Sequence, residues 1–404
     1  LWLLIIKLML QSGIVKFTFF DVDGSNAWRD LTALEYHFWT QPIPSWLSYY
    51  FDALPTVIDK IALFFTYVCE LIIPLFILLP RKMRRIAAIS LILFQFLIIL
   101  SGNYGFFNLL TITLCISLFD DQYLRKLNFS SVVNGKPFLK NYIVFKKIKR
   151  GLSFLVLILF ICLFVIFIGR DLKGNRLSSP DMNKKASVLE QKILDFAQTT
   201  RSINSYGLFR VMTKTRPEFK IELQYEDSLW ATIDFDYKPN HIEKKPDFFF
   251  PHMPRVDWQI WFEALYYEKL LSDPFLLSSY QNFLSTMVSK GLKLSNISID
   301  EFLSVKAKKI LKTLPPAERN SYLNRLSSSL NSYLGHSYWF AMFLSDLIDK
   351  ESTVFHNYRI KDNLDIIKMK VSLSLFTFNH DSKNLNNWWL KKDIKKSAFT
   401  IELR

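Results

Sequence analysis

The sequence predicts a multi-pass α-helical membrane bundle followed by a soluble C-terminal α+β domain that contains a β-sheet. The bundle is predicted in residues 1–170, where apolar segments recur at residues 1–18, 56–80, 86–101, 105–119 and 151–169. The soluble domain is predicted in residues 171–404, where polar and apolar residues alternate. Charged residues make up 22% of the chain, a fraction too high for a protein that lies in lipid throughout.

The apolar segments differ in length. Residues 56–80 and 151–169 reach the roughly 20 residues that a membrane-spanning helix needs. Residues 86–101 and 105–119 are shorter and are predicted to form a helical hairpin around the polar turn at 101–105. The chain begins with Leu1 inside an apolar stretch rather than with methionine, so we expect that an N-terminal part of the membrane region, with at least one helix, is missing.

Positive charges predict the orientation of the bundle. Short cytoplasmic loops retain Lys and Arg, and two basic stretches satisfy this rule: residues 81–85 and residues 120–150. The loop at 21–55 and everything after residue 169 then lie on the non-cytoplasmic side. The net charge of +15 is partly explained by this topology, and no nucleic-acid-binding motif accompanies it, so nucleic acid is not a predicted partner.

The C-terminal region shows both helical and strand patterns. An amphipathic helix is predicted at 186–200, a β-hairpin at 219–237, a helix at 256–271 and a strand at 369–378. Asp273 followed by Pro274 predicts the start of another helix, and residues 300–350 are also predicted to be helical. Cys69, Cys115 and Cys162 all fall in membrane segments, so no disulfide is predicted in this region.

Common catalytic signatures are absent from the sequence: it has no Gly-rich phosphate loop, HExxH, CxxC or GxSxG motif. Asp21, Asp23 and Ser25 resemble the front of a calcium loop, but the downstream glutamate is missing and a glycine turn is the preferred interpretation. No metal and no cofactor are predicted, and a non-enzymatic role is favoured.

A few polar residues within or beside the bundle are candidates for a functional site. Glu70 lies in the middle of an apolar segment, where it must be paired or protonated and must face the bundle interior. Gln95 and Asn108 are predicted to form interhelical hydrogen bonds, with a ligand or proton site as the alternative. Glu35 and His37, in the exterior loop, are weak catalytic candidates together with Glu70. A transporter is disfavoured, because too few helices carry polar residues.

Several sequence blocks resemble the lipase maturation factor family. In the membrane half these are WRDLTALEYHFWTQPIPSWLSYY (28–50), ELIIPLFILLPRKMRR (70–85) and SGNYGFFNLLTITLCISLFDD (101–121). In the exterior half they are SINSYGLFRVMTKTRPE (202–218), FPHMPRVDWQIWFEAL (250–265) and LFTFNHDSKNLNNWWLKKD (375–393). The blocks follow the family order across nearly the whole chain. Residues 291–335 depart from the family pattern and are interpreted as an insertion.

The resemblance implies a protein of the endoplasmic reticulum membrane, or of the cytoplasmic membrane in a bacterium, that helps secreted lipases fold and assemble. Its partners would be membrane lipid and client lipases. An exterior aromatic surface is predicted to hold the client, with Trp258, Trp261, Trp388 and Trp389 as candidates; the alternative is that these rings belong to the core. The rival function is a membrane enzyme, because the membrane half is distantly similar to the vitamin K-dependent γ-carboxylase group.

Overall fold

The computed structural model describes residues 1–21, 23–120, 123, 142–174, 188–200, 203–207, 209–291, 302, 311–381, 386–394 and 397–403. It divides into two compact units. The first comprises residues 1–38, 50–214 and 249–252, and the second comprises residues 39–49, 215–248 and 253–404. The first unit is helical and the second contains the sheet.

The described helices of the N-terminal region follow one another with short connections. They are α1 (Trp2–Thr18), α2 (Ala33–Thr40), α3 (Trp46–Asp52), α4 (Thr56–Tyr67), α5 (Arg81–Ser101), α6 (Phe107–Ile116), α7 (Tyr142–Lys173) and α8 (Val188–Thr200). Three segments are long and apolar enough to cross a membrane: Thr56–Leu78, Arg81–Ser101 and Lys149–Lys173. These helices support the membrane character that the sequence predicts.

Two details of the predicted membrane segments are wrong. The segment at 105–119 holds α6, which has only 10 residues and is too short to span a bilayer as an α-helix. The predicted basic loop at 81–85 is the first turn of α5, since that helix begins at Arg81 directly after Pro80 and has 21 residues. The other basic stretch, 120–150, falls mostly outside the described residues.

The segment that begins with α4 changes its helical form along its length. After Tyr67 it continues as a π-helix at Val68–Ile72 and then as a 3₁₀-helix at Ile73–Leu78. Pro74 contributes to this change, because it lacks an N–H and cannot donate the usual helical hydrogen bond. Single π-helical turns inside helices occur frequently at functional sites, and this one contains Glu70.

Residues that follow α7 pack on the first unit, and this explains why the unit extends beyond the predicted boundary at residue 170. Gln11 donates from Nε2 to Asp171 Oδ2 at 2.9 Å, and Ser205 donates to the other oxygen of the same carboxylate at 2.5 Å. Gly207 lies so close to α1 that a Cβ atom there would be 2.3 Å from Val15 Cγ2. The sequence places no strong break at 214, so these contacts are visible only in the fold.

The second unit is built on an antiparallel sheet in the order β2-β1-β3-β4, with β5 also paired to β3. Its strands are β1 (Pro217–Tyr225), β2 (Trp230–Thr232), β3 (Ile366–Phe378), β4 (Trp389–Asp393) and β5 (Phe399–Glu402). The register places Phe219 opposite Leu373 and Ile221 opposite Val371, so the apolar faces of β1 and β3 coincide. The predicted hairpin is confirmed, although its second strand is only 3 residues long.

Helices cover the apolar face of this sheet. They are α9 (Arg255–Leu270), α10 (Pro274–Lys290), α11 (Pro316–His336), α12 (Tyr338–Asp346) and α13 (Thr353–Asn357). The Asp273 side chain caps α10 by accepting from the amides of Phe275 and Leu276, as the sequence predicts. Within the predicted insertion, Leu326 and Leu330 are buried in the core of the unit. Residues 292–301 and 303–310 of that segment lie outside the described residues.

A buried ionic cluster holds residues 39–49 in the second unit. Arg216 is fully buried and donates to the backbone carbonyls of Trp39, Gln41 and Pro42 at 3.0, 2.5 and 3.1 Å. Its guanidinium also lies 2.7 Å from Glu218, whose second oxygen is 2.6 Å from Lys238 Nζ. These hydrogen bonds explain why a segment from the predicted exterior loop belongs to the sheet-containing unit.

Glu263 on α9 is a buried carboxyl group with a strongly shifted titration. Its side chain accepts a hydrogen bond from the Tyr280 hydroxyl, and burial raises the pKa of Glu263 from 4.5 to about 7. A raised pKa means that the folded state favours the protonated acid. The cost to stability therefore begins to grow as the pH rises above 4.5 and is complete above about 7.

We expect Glu263→Gln to stabilise the second unit at pH 8 by up to about 3 kcal/mol, because glutamine carries no charge to bury. At pH 4 the variant and the wild type are expected to unfold alike. Thermal unfolding in detergent at both pH values measures this difference. The exposed Glu243→Gln is the matched control and should change neither midpoint. A Glu263→Gln effect of equal size at both pH values would contradict the titration argument.

Candidate functional site

A cavity of about 270 Å³ lies within the first unit. It is located where α1 and α5 end and where α4 and α6 begin, because its helical lining residues come from those parts of the four helices. Connecting segments complete the wall with Trp28, Tyr104, Tyr206 and Phe209, and α2 adds His37. Most of the wall is apolar, and the polar side chains form a small number of pairs.

The first pair is an ion pair between α1 and the π-helical turn. Lys16 Nζ lies 2.6 Å from both carboxylate oxygens of Glu70. The two side chains are 6% and 7% exposed, so the charges neutralise each other away from bulk water. The ammonium group also lies 4.9 Å from the centre of the Trp28 ring. The prediction that Glu70 is paired and faces the interior is confirmed.

The second pair joins α2 to the turn before α6. His37 Nε2 and the Tyr104 hydroxyl are 2.6 Å apart. Burial, with a smaller contribution from the nearby charge of Lys16, lowers the pKa of His37 to about 4. His37 is therefore neutral near pH 7, and burial raises the pKa of Tyr104 as well. Both residues are neutral hydrogen-bonding groups at the cavity wall.

The third pair is the interhelical contact that the sequence predicts. Asn108 Nδ2 on α6 donates to Gln95 Oε1 on α5 at 2.9 Å. Both side chains are buried and both line the cavity. The remaining oxygen, Asn108 Oδ1, has no hydrogen-bond partner among the described residues. The pair fixes the packing of two helices and leaves one acceptor unused.

The structure brings together only two of the three weak catalytic candidates. His37 and Glu70 line the same cavity, whereas Glu35 is exposed on α2 and is not among the lining residues. Sequence reasoning missed Lys16 and Tyr104 as site residues. A charged residue near the end of an apolar segment was the available signal for Lys16, because such a charge needs a partner.

Two of the four candidate client-binding tryptophans are buried. Trp261 and Trp389 are 3% and 2% exposed, and the Trp389 indole donates to the Lys244 carbonyl at 2.9 Å. They belong to the core, as the alternative interpretation states, so the predicted surface must be corrected to exclude them. Trp258 and Trp388 are partly exposed. Trp388 packs beside Tyr49, with ring centres 4.8 Å apart.

The loop that resembles a calcium site is a turn closed by a lysine. Lys214 Nζ lies 3.2 Å from Asp23 Oδ2 and 2.6 Å from Ser25 Oγ. Gly24 takes a positive φ of 78°, as the preferred turn interpretation requires. Within the described part of the chain, no group of three or more His, Cys, Asp or Glu side chains could hold a metal ion.

Both halves of the chain match known family models. Residues 1–126 match the lipase maturation factor transmembrane domain, and residues 202–297 match the lipase maturation factor C-terminal domain. Together the two matches cover more than half of the chain. The chain belongs to the lipase maturation factor family.

Named relatives agree with this assignment. Lipase maturation factor 2 of Xenopus tropicalis is 29% identical over 355 residues, which cover 65% of this chain and 48% of the relative. Lipase maturation factor 2 of Gallus gallus is 30% identical with the same coverage. Lipase maturation factor 1 of Mus musculus is 30% identical over 286 residues, covering 65% of this chain and 45% of the relative. The chain therefore spans about half the length of these lipase maturation factors.

No solved structure matches the chain. The names of the matched relatives favour protein maturation, and they lend no support to the rival enzyme related to the γ-carboxylase group. The family assignment therefore depends on the sequence matches, and the cavity is a feature that the structure adds to them.

Proposed function

We propose that this protein is a membrane-resident lipase maturation factor that assists the folding and assembly of secreted lipases. The observation that carries the proposal is the presence of both family domains, in order, in one chain. The relatives named lipase maturation factor 1 and 2 support the same role at the level of the family. The helices long enough to span a membrane are consistent with a factor that acts at the bilayer.

The proposed location is the endoplasmic reticulum membrane in a eukaryotic host and the cytoplasmic membrane in a bacterial one, with the second unit on the non-cytoplasmic side. The basic first turn of α5 supports this orientation, because Arg and Lys at a helix end favour the cytoplasm. With α5 oriented in this way, the cavity lies near the non-cytoplasmic ends of the helices. A client lipase would meet the protein on the same side.

The specific activity of the host's secreted lipases tests the proposed role. With the full-length gene deleted, we expect a several-fold fall in activity per molecule of lipase, with lipase synthesis unchanged. Reintroduction of the wild-type gene should restore the activity, because the factor acts on folding and assembly rather than on expression. An unchanged specific activity in the deletion strain would contradict the lipase role for this member of the family.

We further propose that a client contacts the second unit at the partly exposed Trp258 and its neighbour Phe262. Their ring centres are 6.4 Å apart, and Phe262 is 46% exposed. Exposed aromatic pairs of this kind contribute strongly to protein interfaces. Trp258→Ala is expected to lower lipase maturation without loss of folded protein. Trp230→Ala is the matched control on the same unit, since Trp230 is 45% exposed at the hairpin. Equal effects of the two substitutions would argue against a contact at Trp258.

A further inference from the structure

The cavity in the first unit has features of a ligand site that packing alone does not require. Its volume of about 270 Å³ is far larger than the voids of a close-packed interior. It has room for roughly nine water-sized groups, at the ~30 Å³ that each occupies in the liquid. Aromatic and aliphatic side chains such as Phe38, Phe65, Phe94 and Phe107 form most of its wall. An apolar wall with a few placed polar groups is typical of small-molecule sites.

The charges at the wall are balanced. Among the described lining residues, the only Lys, Arg, Asp and Glu side chains are Lys16 and Glu70, and they neutralise each other at 2.6 Å. His37 adds no charge near pH 7, because burial and the adjacent Lys16 lower its pKa to about 4. A ligand with a net charge would enter this site without a counter-charge, at a large cost in desolvation. The site therefore selects against both anions and cations.

The polar groups of the wall can still form hydrogen bonds. Asn108 is 5% exposed and its Oδ1 is an acceptor with no partner among the described residues. Such an unused buried acceptor is costly unless a donor reaches it. A hydroxyl group supplies a donor and an acceptor without a charge, and it is compatible with the neutral His37 and Tyr104 pair nearby along the chain.

We propose that this cavity binds a neutral, hydroxyl-bearing, single-chain amphiphile of the monoacylglycerol type. The hydroxyl-bearing head meets the polar pairs, and the acyl chain lies against the aromatic wall. Membrane lipid is the source of such a molecule, because the cavity is surrounded by helices that are long enough to span the bilayer. The inference concerns the first unit alone and does not depend on the lipase role.

Photolabelling of the whole protein in phosphatidylcholine nanodiscs tests the proposal. The probe is mono-octanoylglycerol with a photoreactive diazirine in its chain, and labelled peptides are identified by mass spectrometry. We expect labels within residues 62–70 and 94–108, which contain lining residues of α4, α5 and α6. Unlabelled mono-octanoylglycerol should compete for labelling. Octanoate and octyltrimethylammonium, each with a similar chain and one charge, should compete at least about tenfold less well at pH 8.

A pair of neighbouring substitutions on α4 provides the matched control. Ala62→Trp fills the cavity and is expected to lower labelling about tenfold or more, because the added ring occupies the site. Ile61→Trp adds a ring next to it, on a side chain that is 63% exposed and outside the lining, and should leave labelling unchanged. The competition experiment on the wild type needs no substitution, so it decides the question even if Ala62→Trp fails to fold.

Two results would overturn the proposal. One is labelling spread evenly over exposed apolar surfaces such as residues 152–165, unaffected by Ala62→Trp in folded protein. The other is competition by octanoate that equals competition by mono-octanoylglycerol. The first result would indicate ordinary contact with bilayer lipid, and the second would contradict the selection against charge.

Discussion

Glu70→Gln is expected to destabilise the first unit by about 3–5 kcal/mol, because it leaves the buried ammonium of Lys16 without its counter-charge. In the wild type both carboxylate oxygens lie 2.6 Å from Lys16 Nζ, and the pair links α1 to the π-helical turn. The substitution preserves the shape of the side chain and removes only the charge. The loss should therefore report the electrostatic pairing and not a change in packing.

The double variant separates the pair from its members. Lys16→Met alone should also destabilise, since Glu70 then lies buried without a cation, whereas Lys16→Met combined with Glu70→Gln should recover part of the loss. Unfolding midpoints of the purified protein in detergent measure all three. Lys60→Met is the control, because Lys60 is exposed on α4 and should change stability by no more than about 0.5 kcal/mol. Additive effects of the two single substitutions would show that the charges do not stabilise each other.

Arg216→Lys is expected to destabilise the second unit by about 3 kcal/mol, although it keeps the positive charge. A guanidinium group donates in fixed directions from several N–H groups, and Arg216 uses them on three backbone carbonyls and Glu218. A lysine ammonium cannot reproduce this geometry, so buried carbonyls would lose their donors. Residues 39–49 should then become the first part of the unit to open.

Two measurements test the Arg216 prediction. Thermal unfolding gives the loss of stability, and limited proteolysis shows whether cleavage at residues 39–49 becomes faster than in the wild type. Arg325→Lys is the matched control, since that side chain is 61% exposed on α11 and should tolerate the same exchange. If Arg216→Lys unfolded like the wild type while residues 39–49 stayed resistant to protease, the hydrogen bonds of the guanidinium would not hold that segment.

Local patterns in the sequence predicted the elements of this protein well. The strand alternation of residues 219–225 places Phe219, Ile221 and Leu223 on one face, and that face is the buried face of β1. The pairing of Asp273 with Pro274 marked the start of α10 for a local reason, since the cap acts within one helical turn. The need of Glu70 for a partner was equally predictable, because the cost of an unpaired charge in an apolar segment does not depend on the fold.

The tertiary structure alone decided which residues meet. Lys16 lies 54 positions before Glu70, and Arg216 lies about 175 positions after the carbonyls that it binds. No periodicity relates such distant positions, so sequence reasoning named Glu70 without Lys16 and took residues 39–49 for an exterior loop. The burial of Trp261 and Trp389 was undecided for a related reason. An aromatic residue on an amphipathic element is favourable both in a core and on an interface, and only the packing of neighbouring elements distinguishes the two. The sequence by itself therefore determined the segments and their chemical needs, whereas long-range packing determined the partners that satisfy them and the cavity that they enclose.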